Sequence, residues 1–199
     1  MVVTDIAARG IDIPLLDAVI NFHFPPKPKL FVHRVGRVAR AGRAGTAYSI
    51  VSNEEMPFLL DMFVFLGRPL SFCTDGDKEW EGRLGRYPQS AIDAEAASLQ
   101  KDIKESVDIA QQYKSAQNGD KGYRRTREKP SAESVTRARE IDITACAVHP
   151  VFGTEVAGTF MEVLLTNIFF DFWPTILFLI KNSIMTKILF CGQNFEFLT

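Results

Sequence analysis

The chain has 199 residues, and its 23 basic and 24 acidic side chains leave a formal net charge of −1. This balance excludes a uniformly basic, histone-like protein but permits a local basic patch. Apolar residues make up 46% of the chain, which is enough for a packed core and excludes global disorder. The 3 cysteines contain no CxxC pair, so neither a disulfide framework nor a structural zinc site is predicted.

The first block, residues 1–72, alternates between strand and helix patterns. The predicted elements, in order, are a strand ending at residue 4, strand 17–24, helix 29–41, strand 45–51 and helix 54–66. Asn53 is the predicted N-cap of the last helix, and Gly67 is predicted to close it. This alternation predicts an α/β fold, with a partial parallel sheet flanked by helices.

A second block, residues 73–152, is a polar extension with helical segments. One face of a helix is predicted from Ile92, Leu99, Ile103, Val107, Ala110 and Tyr113. Asn118 and Gly119 are predicted to end that helix, and a shorter helix is predicted over 131–142. The basic stretch 121–129 is open to three interpretations: an RNA-phosphate contact, a nuclear import signal, or a flexible charged linker.

The last block, residues 153–199, is apolar and rich in phenylalanine. Its segment 159–180 approaches the length of a membrane span, but Glu162, Asn167, Asp171 and Pro174 interrupt it. A translated intron or a shifted reading frame is the preferred explanation, and a membrane anchor is the weaker alternative.

Two motifs carry the candidate chemistry. The first is Thr-Asp-Ile-Ala-Ala-Arg-Gly-Ile-Asp-Ile-Pro at 4–14, and the second is His-Arg-Val-Gly-Arg-Val-Ala-Arg-Ala-Gly-Arg at 33–43. On a helix, Arg34, Arg37 and Arg40 would lie roughly in line, and such a row suits phosphate. Asp12 follows a strand and a glycine turn, where it could accept a hydrogen bond from a ribose hydroxyl.

These motifs, TDxAARGxDxP and HRxGRxxR, resemble motifs V and VI of the DEAD-box RNA helicases. Further segments, including 85–93, 130–142 and 149–152, resemble the nucleolar subfamily of DEAD-box helicase fifty-four. The resemblance implies that residues 1–72 form the C-terminal half of a second RecA-like domain, followed by a helical or disordered extension. It also implies a protein of the nucleus and nucleolus that acts on ribosomal RNA and pre-ribosomal particles.

The resemblance assigns roles to residues of both motifs. Arg37 and Arg40 match arginine fingers that reach the γ-phosphate of ATP, and Asp12 matches a residue near the ribose. His33 is carried over as catalytic and, with Arg34 and Arg9, as interdomain. Thr4, Gly10 and Arg34 are carried over as RNA contacts, and Gly10 also as a nucleotide contact.

The chain lacks three other motifs of the family: the GxxxxGK[ST] phosphate loop, the Asp-Glu-Ala-Asp segment and the Ser-Ala-Thr motif. Arginine fingers cannot run the reaction without a phosphate loop and a magnesium site. We therefore expect ATP and Mg²⁺ to be used by an intact parent that includes a first RecA-like domain, and neither to be held by this chain alone. No metal-binding residue is predicted. Two alternatives are a non-enzymatic RNA-binding or regulatory module and a membrane-tethered interaction protein, although a membrane partner is disfavoured.

Overall fold

The computed structural model describes residues 2–6, 16–38, 45–77 and 81–153, together with the backbone of 188–193. These residues divide into two compact units. The sheet unit comprises the described parts of 2–86, 128–150 and 187–199, and the helical unit those of 87–127 and 151–186.

The sheet unit is built on five strands. They are β1 (Ala18–Asn21), β2 (Thr46–Val51), β3 (Ser71–Phe72), β4 (Arg83–Arg86) and β5 (Ile188–Gln193). Their order across the sheet is β1-β2-β5-β4-β3, and the pairs β1–β2 and β3–β4 are parallel. The strand β5 is antiparallel to both of its neighbours, β2 and β4. The predicted α/β class with parallel strand pairs is confirmed, whereas β5, from the apolar tail, was not predicted. The other tail residues, including 159–180, lie outside the described part of the chain.

Three helices belong to the sheet unit: α1 (Pro28–Val35), α2 (Met56–Leu66) and α5 (Ala132–Glu140). Side chains from α1, α2 and the strands form one apolar core. Its most deeply buried members, each at most 1% exposed, are Phe24, Phe31, Val51, Met56, Leu59, Met62 and Leu84. This core holds the end of α1 against the sheet, which is the region that carries the second motif.

The start of α2 is fixed by a buried carboxylate. A short 3₁₀ turn, Asn53–Glu55, precedes the helix, and the capping residue is Ser52 rather than the predicted Asn53. Oε2 of Glu55 accepts hydrogen bonds from the Ser52 amide at 3.0 Å and from its hydroxyl at 2.9 Å. Its Oε1 accepts from the Phe24 amide at 3.1 Å, so a carboxylate only 6% exposed is satisfied. Gly67 closes α2 in the left-handed conformation, with φ of 64°, as predicted.

The N-terminal expectation was wrong: residues 2–4 belong to no strand, and Asp5 and Ile6 are helical. The carboxylate of Asp5 pairs with Arg34 at the far end of α1. This ion pair is a contact between distant parts of the chain, which a local pattern could not reveal.

The helical unit contains α3 (Gln89–Glu105) and α4 (Val107–Thr126), where a single helix ending near Asn118 was predicted. The break lies at Ser106, whose extended backbone separates the helices and whose hydroxyl accepts from the Ile109 amide at 3.4 Å. Of the predicted apolar face, Ile92 and Leu99 are buried, whereas Val107 is 83% exposed.

The predicted helix end at Asn118 and Gly119 was also wrong, because α4 continues to Thr126. An ion pair between Asp120 and Arg124, at 2.8 Å and one turn apart, spans Gly122 and supports the last turns. Residues 121–126 of the basic stretch 121–129 are therefore helical.

The segment Cys146–His149 runs beside β4 in the sheet unit. The Arg86 amide donates to the Ala147 carbonyl and the His149 amide donates to the Arg86 carbonyl, both at 2.9 Å. A Cβ added to Gly85 would lie 2.7 Å from the Cα of His149. Only glycine at position 85 permits this close approach.

Two cysteines are buried in the same unit: Cys73 is 1% exposed and Cys146 is 4% exposed. Burial raises the pKa of the Cys73 thiol to about 11, and burial also raises the pKa of Cys146. Both side chains are therefore neutral thiols at physiological pH and act as small apolar groups.

Helix α5 begins at Ala132, one residue after its N-cap, Ser131. The Ser131 hydroxyl and amide donate to the two carboxylate oxygens of Asp61 on α2, at 2.6 and 2.9 Å. Burial raises the pKa of Asp61, but the hydrogen bonds from Ser131 and Ser134 outweigh it, so the pKa is lowered overall.

We expect Asp61→Asn to cost about 1 kcal/mol of unfolding free energy at pH 7, because an amide cannot accept at both atoms. The folded-state pKa of Asp61 is depressed. Its contribution is therefore present above the unfolded pKa and is lost as pH falls through the folded pKa. Urea unfolding of both proteins from pH 7 to pH 3 should show the difference shrinking below about pH 4. A constant difference would contradict this account.

Candidate nucleotide and RNA site

Arg34, in the last turn of α1, is the centre of the candidate site. Its Nε and Nη2 donate to the two carboxylate oxygens of Asp5, at 2.6 and 2.8 Å. This two-pronged geometry is the strongest that an arginine and a carboxylate can form. The side chains are 20% and 36% exposed respectively, so the pair is only partly screened by water.

The remaining terminal nitrogen of Arg34 faces the end of β1. Its Nη1 donates to the His23 carbonyl at 2.8 Å and lies 3.4 Å from Oδ1 of Asn21. Asn21, which is buried, donates in turn to the Ser49 hydroxyl on β2 at 3.0 Å. Arg34 thus joins the start of the first motif to both strands of one parallel pair.

The network includes Asp5, Asn21 and Ser49, which sequence reasoning did not select as site residues. Asp5 stands inside the quoted first motif and was available as a signal. Asn21 and Ser49 lie in strands whose apolar character predicts only packing.

The three arginines do not form the predicted row on one helix. Helix α1 ends at Val35, and Gly36 is its C-cap. The Arg37 amide donates to the Arg34 carbonyl at 3.3 Å in a tight turn, and Val38 then forms a parallel bridge with Leu16. Arg34 therefore lies in the last turn of α1, whereas Arg37 lies in the turn that follows the helix.

Arg37 lies beside the first residue of its motif. A terminal nitrogen of Arg37 is 3.4 Å from Nε2 of His33, and because arginine can only donate, Nε2 is the acceptor in this contact. The Nε of Arg37 is buried, and no atom of the described residues accepts its hydrogen. A buried guanidinium donor without an acceptor is costly, and an added oxyanion would relieve that cost.

The structure therefore brings His33, Arg34 and Arg37 together at the end of α1, with Thr4 beside the carboxylate that anchors Arg34. Thr4 itself is exposed. The remaining predicted site residues lie outside the described part of the chain: Arg9, Gly10, Asp12 and Arg40.

No group of three or more His, Cys, Asp or Glu side chains that could hold a metal ion occurs within 2–6, 16–38, 45–77 and 81–153. Across the same ranges, no helix has both the length and the apolar character needed to cross a bilayer.

Residues 1–42, which include both motifs up to Gly42, match the family model of the helicase conserved C-terminal domain. The chain is 48% identical over 161 residues to the ATP-dependent RNA helicase DDX54 of Mus musculus, an alignment that covers 77% of the chain. It is 43% identical over 169 residues to the DEAD-box ATP-dependent RNA helicase 29 of Oryza sativa subsp. indica, covering 76% of the chain. Over about three quarters of its length, the chain is therefore similar to DEAD-box RNA helicases.

A third relative is the ATP-dependent RNA helicase DBP10 of Ajellomyces capsulatus, 44% identical over 161 residues and 78% of the chain. The predicted family and its DDX54 branch are thus confirmed. Because these alignments cover far more than residues 1–42, the helical extension is also shared with DEAD-box relatives. The chain spans only 18–20% of the length of these three proteins.

Proposed function

We propose that this chain contributes the arginine and backbone contacts to RNA and to the phosphates of ATP in a DEAD-box ATP-dependent RNA helicase. The proposal places that helicase in the nucleus and nucleolus, where it acts on ribosomal RNA and pre-ribosomal particles during large-subunit maturation. By itself the chain is catalytically inactive. All three relatives bear the name of ATP-dependent RNA helicases, which supports RNA and ATP as ligands.

The observation that carries the proposal is the Arg37 guanidinium, which keeps a buried donor without an acceptor among the described residues. The preceding residues are held firmly, since Arg34 is bound to Asp5 and to the His23 carbonyl. A guanidinium that is held in place, with a donor that no described residue satisfies, is suited to the role of an arginine finger. Bound ATP supplies the γ-phosphoryl group, whose developing negative charge such a guanidinium stabilises.

The ion pair of Asp5 with Arg34 joins the two motifs and occupies part of the Arg34 guanidinium. Nε, Nη1 and Nη2 of Arg34 all donate within the chain. We therefore assign Arg34 a positioning role and leave the phosphate contact to Arg37. Arg40 and Asp12 keep their proposed roles at the phosphate and the ribose, and Thr4 and Gly10 theirs at the RNA backbone.

The sequence supports the proposed inactivity of the isolated chain. The 199 residues contain neither a GxxxxGK[ST] phosphate loop nor an Asp-Glu-Ala-Asp segment. Without them, the chain cannot cradle the β- and γ-phosphates, hold Mg²⁺ or position the attacking water. The first RecA-like domain of an intact helicase is the proposed source of those groups and the partner of this site.

The test compares phosphate release by the chain and by its Arg37→Ala, Arg40→Ala variant, with and without poly-uridine RNA. Alone, both proteins should show no RNA-stimulated hydrolysis. Mixed with a separately produced phosphate-loop domain of a DEAD-box relative, the unmodified chain should support hydrolysis. The variant should then lose roughly a thousand-fold or more in rate, as arginine fingers do in GTPases. RNA-stimulated hydrolysis by the chain alone, above the variant, would overturn the claim of inactivity.

A further inference from the structure

A row of three cations lies on one exposed face of α4, in the helical unit. Lys114, Lys121 and Arg125 are all exposed, and at 100° per residue they fall within about 40° of one another around the helix axis. From Lys114 to Arg125 the row extends for about 16 Å. Among the described residues, none of the three forms an ion pair.

Neighbouring residues leave this row positive. Asp120, which precedes Lys121 in sequence, is 8% exposed and is bound to Arg124 at 2.8 Å, so its charge is neutralised on another side of the helix. Asn118, between Lys114 and Lys121 on the exposed face, is polar and uncharged. The row therefore offers three unshielded cations and a hydrogen-bonding amide along one line.

The row of cations on α4 is less suited to a membrane, which is another kind of anionic surface. No residue of α4 is buried, and the row has no apolar side chain between its cations. An amphipathic helix that lies on a membrane needs an apolar face to enter the headgroup layer, which this row lacks. A linear series of phosphates, as in an extended nucleic acid, matches a linear series of cations.

We infer that Lys114, Lys121 and Arg125 bind the phosphate backbone of single-stranded RNA, at a second site separate from the Arg34–Arg37 region. The choice of RNA as ligand rests on the proposed function. Contacts of this type are independent of base sequence and of nucleotide state, because they are made to phosphate alone. The site would allow the helical extension to bind RNA without the Arg34–Arg37 region.

The test uses the full chain and a fluorescein-labelled 20-mer of poly-uridine, with fluorescence anisotropy measured from 50 to 300 mM KCl. The variant carries Lys114→Ala, Lys121→Ala and Arg125→Ala. Because alanine has a high helix propensity, α4 should persist in this variant, and circular dichroism measures whether it does. Each lost phosphate contact reduces the slope of log K against log salt by about 0.7, so the slope should fall by about 2. At 100 mM KCl we expect at least ten-fold weaker binding.

A charge-matched control carries Lys101→Ala, Lys104→Ala and Arg139→Ala, three exposed cations on α3 and α5. Its salt slope should equal that of the unmodified chain. Equal slopes for the row variant and the control would overturn the inference while leaving the proposed function intact, since ATP hydrolysis with the phosphate-loop domain tests that separately. Binding to phosphatidylserine vesicles, with no RNA binding, would overturn the inference in favour of a membrane surface.

Discussion

Replacing Arg34 with alanine should lower the free energy of unfolding by about 3 kcal/mol, the value typical of losing one partner of a hydrogen-bonded charge pair. The variant loses both hydrogen bonds to Asp5 and the bond to the His23 carbonyl. It also leaves the Asp5 carboxylate without its cation. We place the effect at the low end of the range for buried pairs because both side chains keep some exposure to water.

Urea unfolding of the full chain, followed by circular dichroism, measures this effect. The informative companion is Arg34→Lys, which retains the charge but presents one nitrogen instead of a planar fork. It should recover less than half of the loss. Arg137→Ala, at an exposed position on α5, is the control and should stay within about 0.5 kcal/mol of the unmodified chain. If lysine fully restored stability, the two-pronged contact would be shown to contribute nothing beyond its charge.

The Gly85→Ala variant should be destabilised by about 3 kcal/mol, the upper end of the usual cost of overpacking. The new Cβ would lie 2.7 Å from both Cα and Cβ of His149, closer than carbon atoms can approach. The atoms in conflict include backbone, so no side-chain rotation relieves them. The segment 146–149 must move away from β4, which weakens its hydrogen bonds with Arg86 at 2.9 Å.

Gly119→Ala is the matched control, since it adds the same methyl group in open space within α4. Because alanine favours helix, this variant should be stabilised by about 0.5–1 kcal/mol. The pair can be compared by thermal and urea unfolding of the full chain. A Gly85→Ala protein as stable as the parent would contradict the position of 146–149 beside β4, and a destabilised Gly119→Ala protein would contradict the continuity of α4.

The local sequence pattern was sufficient to predict the α/β alternation, the strands near β1 and β2, and the end of α2 at Gly67. These features depend on residues near one another in sequence, where hydrophobic periodicity and glycine preference operate. Of the two helix-end errors, the one in α1 arose from an interaction outside that range, whereas the one in α4 arose from a local ion pair between residues one turn apart. The helix α1 ends where Val38 meets Leu16, and α4 passes Gly119 because an ion pair supports the following turn.

The sequence predicted only part of the candidate site, because some of its contacts join residues that are far apart in the chain. Motif spacing selected Arg34 and Arg37, but it did not select Asp5, which pairs with Arg34 from 29 positions away in sequence. Pairing across such a distance depends on the whole fold. The strand β5 was missed because its segment belongs to a Phe- and Ile-rich tail whose composition gives no alternating strand signal.

The central place of β5 has a consequence for how the protein is made. The strand joins two parallel pairs, yet its partners in β2 lie about 140 residues earlier in the chain, a separation typical of slow-folding topologies. At ordinary rates of synthesis, about 5–20 residues per second, β2 would wait roughly 7–30 seconds for its partner. During that interval the inner edges of β2 and β4 are exposed to other nascent chains. Ribosome-associated chaperones that shield strand edges should therefore govern the yield of this protein.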